Sequence, residues 1–346
     1  LDGSEQTIGV AITLLLVFDD LHPDLLEQLD AFGMVGHVSR EPVLGEEAAL
    51  AHGRHSQDAQ QIDRRGVHEP AAAEQEEVGR LAAVGDVGTA LGLGVIEETP
   101  ERVVLGVLEE NGEATRLVSL ASDPGARQPG PTDCGLFHIA LVLPSRADLA
   151  HWLTHAAGQG IALSGASDHL VTEALYLDDP EGNGIELYVD RPRKDWPRSE
   201  SGAIRMATER LDLRDLGSAA PKRAFAGLPA GTRLGHLHLS VDDTAEAARF
   251  FQASLGFERM VDYPGAVFLG SGGYHHHIGA NVWRSSRGAR RDPRSRGLSS
   301  YAIRYDDRDT RMKAAERLAA SGLAVDITEE RVFGVDPWGI GFELGL

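Results

Sequence analysis

Residues 168–188 read DHLVTEALYLDDPEGNGIELY. Tyr176 sits in one alternating apolar run, and ten residues later Glu186 interrupts a second, I-E-L-Y. The alternation predicts two strands. The DPEGNG between them carries the residues of a tight turn. A turn accounts for Gly182 and Gly184 but not for Glu186. A carboxylate inside an apolar strand is costly to bury unless a charge or hydrogen bond compensates it.

Working outward, the same layout recurs. LFHIALVLPSRADLAHWL (136–153), GHLHLSVDDTAEAARFFQASLGF (235–257) and SSYAIRYDDRDTRMKAAERLAASGL (299–323) each give an alternating strand, a polar turn and an amphipathic helix. Two endings match as well: DDPEGNGIELY (178–188) and VDPWGIGFELGL (335–346). The repeating unit is therefore a strand, a helix and further strands, with an Asp-Pro turn before a last strand that carries one Glu. Residues 1–90 lack this texture. They hold helical hints at 24–32 and 70–84 but no strand periodicity of this kind. Residues 91–198 read as a first structured domain, 199–231 as a polar linker and 232–346 as a second domain of paired units. The basic segment RSSRGARRDPRSRG (284–297) reads as a solvated crossing loop.

Across 91–346 the chain resembles the vicinal oxygen chelate superfamily of glyoxalases, bleomycin-resistance proteins and extradiol dioxygenases. It is most similar to catechol 2,3-dioxygenase-like proteins of four βαβββ modules. GLFHIALVLPSRADLAHWL, ALYLDDPEGNGIELYVDRP and YPGAVFLGSGGYHHHIGANVW carry the likeness. It implies an α+β fold in which tandem βαβββ modules pair into two cup-shaped mixed-sheet domains, the first module being incomplete or atypical. It also implies extradiol cleavage of a catechol with Fe(II), Mn(II) being the alternative, and with O₂ as co-substrate. Two imidazoles and one carboxylate leave coordination positions open for such chemistry.

The extradiol pattern is matched in order by His169, Leu175-Tyr176, Asp179-Pro180, Gly182 and Glu186. Ser167 departs from the residues usual two positions before the His. By resemblance Glu186 and His138 are metal ligands. Tyr176 would hydrogen-bond a substrate or ligand oxygen, and His169 would handle protons. The resemblance places a third ligand on the first strand of module one, 20–25 residues before Leu91-Gly92-Leu93. No His-led strand precedes that point. His68 stands before Glu-Pro, and the pattern around His37 is broken by Pro42. The expectation is that residues 1–90, which begin with Leu rather than Met, are foreign to this fold and leave the metal site crippled.

A second candidate site combines His236, His277 and Glu343. His238 shares the face of His236, and alternation puts His275 and His277 on one face and His276 on the other. Ser300 and Phe333 occupy the places of a second His and a Tyr there.

The net charge of −20 over 346 residues argues against nucleic acid or an anionic membrane surface, since both call for a basic face. The single cysteine, Cys134, excludes an internal disulfide framework and fits a reducing, cytoplasmic setting. IGVAITLLLVF (8–18) is too short to span a bilayer. The expected partners are a small aromatic diol, O₂ and a second copy of the chain. Two other functions stay open: a glyoxalase-like metal-dependent lyase or isomerase, and a metal-free binding protein of the bleomycin-resistance kind.

Overall fold

The computed structural model describes residues 14–18, 88, 90–328 and 330–346. Four strand groups follow one another. The first comprises β1 (Leu14–Phe18), β2 (Gly94–Thr99), β3 (Arg102–Leu108) and β4 (Ala114–Ser122). The second is β5 (Gly135–Val142), helix α1 (Arg146–Gln159), β6 (Gly165–Asp168), β7 (Thr172–Asp178) and β8 (Gly184–Asp190). After β9 (Glu209–Arg210) and the short α2 (Leu213–Ser218) comes the third: β10 (Arg233–Ser240), α3 (Thr244–Arg249), β11 (Glu258–Tyr263), β12 (Ala266–Gly270) and β13 (Ile278–Asn281). The fourth is β14 (Gly297–Arg304), α4 (Arg308–Ala320), β15 (Val325–Ile327), β16 (Val332–Val335) and β17 (Gly341–Gly345). The α+β class and the repeated unit are as expected.

Local chemistry sets the helix ends. Ser145 accepts the Asp148 N–H at the start of α1, and Gly160 closes it in the left-handed region at φ 72°. Asp243 and Asp307 cap α3 and α4 in the same way as Ser145 caps α1. The apolar faces of the helices and of both sheets meet in one core that includes Trp152, Leu187, Leu237, Leu298 and Trp338. Truncating one such side chain, as in Leu187→Ala, costs about 2–5 kcal/mol.

The sheets do not follow the expected partition into 91–198 and 232–346. One runs β11-β12-β13-β10-β5-β8-β7-β6-β9 and joins the second and third units. The other runs β15-β16-β17-β14-β1-β4-β3-β2 and joins the first and fourth. The reason lies in the free edges. Each unit leaves its own first strand unpaired on one side. β5 spends that edge on β10, antiparallel, from Arg233↔Val142 to Ser240↔Gly135. The edge of β1 is then left to β14. Backbone N–H and C=O groups at such an edge need partners when buried.

The first strand of the first unit is Leu14–Phe18, within the 8–18 segment, parallel to β4 and antiparallel to β14. It was expected 20–25 residues before Leu91. Part of the segment thought foreign to the fold therefore supplies a central strand. His37, His68 and the helical hints at 24–32 and 70–84 lie outside the described residues.

Two other expectations change. The stretch 199–231 is more than a linker: β9 extends the first sheet by pairing with β6, and Ile204, Leu211 and Leu216 are buried. The basic 284–297 segment is not uniformly solvated. Arg291 is buried, and Arg290 donates to the Asp336 carbonyl.

Candidate metal centre

The inner wall of the first sheet gathers polar groups that would be unusual in an apolar core. β5 contributes His138, β8 contributes Glu186 and β10 contributes His236, all buried. The His138 and His236 Nε2 atoms are 3.3 Å apart, and Glu186 Oε2 lies 3.0 Å from the first and 3.2 Å from the second. Among the described residues this is the one group of His, Cys, Asp or Glu donors converging closely enough to hold a metal ion. Two ligand atoms at right angles around an ion with bonds of ~2.1 Å are separated by ~3.0 Å. The donor set thus fits one face of an octahedral divalent ion, the two-His, one-carboxylate arrangement that leaves the opposite face open.

The close strand approach depends on glycine. A side chain at Gly184, beside His138 on β8, would run into the Phe137 carbonyl and the His138 Cβ. A side chain at Gly279 would meet the His238 ring at 2.8 Å.

The electrostatics favour ligand-ready forms. Burial alone would raise the Glu186 carboxyl, but the His236 and His138 imidazoles outweigh it and hold the group well below the usual carboxylate range. Burial lowers His236 to about 4 against the opposing pull of Glu186, so its ring is neutral at pH 7. A neutral imidazole and an ionised carboxylate are the forms that bind metal.

A cavity of about 390 Å³ opens over these donors. Tyr176 and His169 stand on its wall. His169 Nδ1 donates to the Ala207 carbonyl at 2.7 Å, so in the neutral ring Nε2 is bare and accepts the Tyr176 hydroxyl at 2.8 Å. Burial, then Glu186, pushes the Tyr176 phenol well above 10 and keeps its proton on. The turn that carries His169 is braced by ion pairs from Arg191 to Asp168 and Glu173 and from Arg146 to Glu173. The connecting stretch supplies Met206, Ala207 and Thr208 to the same wall.

On the opposite wall, Asn281 Oδ1 accepts the Trp283 N–H and its Nδ2 donates to His238 Nε2 at 3.1 Å. The amide is thereby oriented, and His238 carries its hydrogen on Nδ1. Its ring lies edge-on to His138, centroids 4.8 Å apart. Phe137 and Phe268 add apolar lining, and the Arg284 guanidinium sits 5.3 Å from the Phe137 ring centroid at the cavity wall.

The second candidate site does not assemble. Glu343 belongs to the other sheet and pairs with Arg331 at 3.4 Å. His277 Nδ1 accepts the Ser271 N–H, away from the cavity. Only His236 of that trio reaches the centre, where it stands as the third donor beside His138 and Glu186. The alternation through the His triplet also fails. Regular strand begins at Ile278, so the residues before it follow no two-residue period. His276 lines the cavity, its ring 4.2 Å from that of His236, whereas His275 turns to Asp190. His276 was missed because periodicity was extended into a segment that is not a strand.

Fold and donor set together define a cup-shaped βαβββ protein with a buried donor triad able to hold a metal ion. The model of the Glyoxalase/Bleomycin resistance protein/Dioxygenase superfamily matches residues 88–187 and 233–344, and the chain belongs to that family. It is 38% identical over 236 residues to the catechol-2,3-dioxygenase of Bacillus subtilis (strain 168), covering 68% of this chain and 79% of the relative. A biphenyl-2,3-diol 1,2-dioxygenase of Rhodococcus globerulus is 34% identical over 29% of this chain and 52% of its own. A solved putative dioxygenase from Bacillus subtilis shares the fold at TM-score 0.54 and 13% identity, covering 99% of this chain and 86% of that one.

Proposed function

We propose that the protein is an extradiol dioxygenase that cleaves a catechol beside its hydroxyl-bearing carbons. The observation that carries this reading is the convergence of His138, His236 and Glu186 at the floor of a cavity sized for a small aromatic diol. Fe(II) is the expected ion, with Mn(II) the alternative that suits the same donors. When bound, such an ion supplies chelation of both diol oxygens and a path for electron density from diol to O₂.

The remaining tasks fall to side chains of this chain. His276 offers an imidazole nitrogen to the cavity and takes a proton from a substrate hydroxyl. The Tyr176 hydroxyl hydrogen-bonds an oxygen of the bound diol or of O₂, and His169 behind it exchanges protons with that hydroxyl. Phe137 and Phe268 flank the ring and keep water from the reacting carbons. The homology to a catechol-2,3-dioxygenase supports the same reading, and the lone, buried Cys134 supports a reducing, cytoplasmic setting. A glyoxalase-like isomerase would call for a glutamate from the last strand of each paired unit, and β13 brings Asn281 instead. Metal-free binding would call for apolar lining where buried His and Glu stand.

The test is anaerobic reconstitution with Fe(II), addition of catechol and then admission of O₂. A yellow semialdehyde should appear in proportion to bound iron. Absence of product with catechol and its alkyl derivatives, on protein holding a full equivalent of iron, would refute the assignment.

A further inference from the structure

Behind His276 runs a chain of buried hydrogen bonds that reaches Asp190 at the end of β8. The His276 and His275 Nδ1 atoms are 2.8 Å apart, and His275 Nε2 lies 2.9 Å from Asp190 Oδ1. His275 is fully buried and His276 nearly so. An aspartate oxygen accepts, so His275 must carry hydrogen on Nε2. Of the two facing Nδ1 atoms, one alone can hold the hydrogen between them. With the His275 hydrogen committed to Asp190, its Nδ1 is the acceptor, and His276 donates from Nδ1. The cavity-facing nitrogen of His276, Nε2, is then bare. A second branch holds the carboxylate in place: Tyr188 donates to the Tyr274 hydroxyl at 2.7 Å, and that hydroxyl donates to Asp190 at 3.0 Å.

We infer that Asp190 and His275 are positioning residues that fix His276 in the tautomer able to accept a substrate proton. The step balances without an oxidant. The substrate O–H bond breaks and an N–H bond forms at His276 Nε2. The hydrogen on His276 Nδ1 passes to His275 Nδ1, and the positive charge comes to rest on His275 against the Asp190 carboxylate. A hydrogen-bonded partner behind a working imidazole commonly sets its tautomer and orientation. This inference rests on the ring-cleavage reading for the identity of the proton donor, but not for the tautomer itself.

The tautomer can be read in metal-free protein labelled with ¹⁵N-histidine, by two-bond ¹H–¹⁵N correlation. His276, assigned by its loss in His276→Gln, should show a protonated Nδ1 and an unprotonated Nε2. In Asp190→Asn, which keeps an acceptor for Tyr274 and whose folding is checked by thermal melting, the Nε2–H form should become populated. In iron-loaded protein the same variant should lose about 10- to 100-fold in kcat with KM little changed, the size usual for removing such a partner. Asp190→Glu should recover part of that loss. A wild-type His276 with Nε2–H, or a folded Asp190→Asn whose His276 tautomer is unchanged, overturns the inference. Inactive wild-type protein with the expected tautomer would instead count against ring cleavage alone.

Discussion

The two sheets repeat one plan down to single residues. Asp179 accepts the N–H groups of Glu181 and Asn183, and Asp336 those of Trp338 and Ile340, so both turns close in the same way. Glu186 faces Tyr176 across the ladder, as Glu343 faces Phe333. His138 aligns with Gly184, as Ser300 aligns with Gly341. The first sheet keeps His, Tyr and a buried Glu at these places. The second has Ser, Phe and a Glu turned to Arg331. The backbone plan is thus common to both, and the metal centre is a matter of side chains laid on one copy. Fold alone does not carry the activity.

The largest expected effect comes from making the first sheet lose what the second lacks. Glu186→Ala should abolish retained iron and ring cleavage, beyond the about 10–100-fold cost of an outer-shell change. Glu343→Ala should leave both within about twofold. Metal content after gel filtration, with turnover on catechol, measures the contrast. Equal loss in the two variants would erase the distinction.

Next in size is a pH effect centred on Asp336 of the second sheet, whose carboxyl is raised like that of its counterpart Asp179. Burial raises the Asp336 carboxyl from 3.8 to about 7, against the N–H bonds from Ile340 and Trp338 that pull it down. Between those values the folded chain keeps a proton that the unfolded chain has released. Stability therefore falls as pH rises through that window and levels off above it, by up to roughly 4 kcal/mol. Asp336→Asn should flatten this slope in urea melts taken from pH 4 to 8. Parallel slopes for wild type and variant would show that Asp336 is not its source.

Tyr176→Phe converts a residue of the first sheet to its counterpart in the second. It should lower kcat about 10²-fold while iron content stays constant. A variant as active as the wild type would remove Tyr176 from the proposed chemistry. The smallest effect is expected of Ser300→His. It restores one imidazole opposite Glu343, but no second imidazole converges there among the described residues. Titration with Fe(II) should still reach one equivalent, and a second tight equivalent would show the second sheet to be closer to a site than its side chains indicate.

What could be read from the chain depended on distance along it. His138, His169, Tyr176 and Glu186 lie within one unit, and their spacing follows from a single strand-helix-strand plan. His236 was recognised as a ligand type but given to the wrong partners, because sequence adjacency suggests that neighbouring units pair in order. The actual partner is chosen by which strand edges remain free, a property of the assembled sheets. The strand Leu14–Phe18 was illegible for the same reason. Its place is set by β4 and β14, which lie about a hundred and nearly three hundred residues away. His276 was hidden by the irregular backbone before β13. The tautomer logic behind it needs three-dimensional contacts that no periodicity encodes.

The sheet order also nests one half of the protein inside the other. All nine strands of the first sheet fall between Gly135 and Asn281, whereas the second draws on both flanks, ending at Gly345. During synthesis the sheet that carries the donor triad has all its strands once Asn281 has emerged, before β14 to β17 are made. The outer sheet must wait for β14 to β17 and then pairs beside an inner half already able to form, an order that suits chains folding by parts from the amino end.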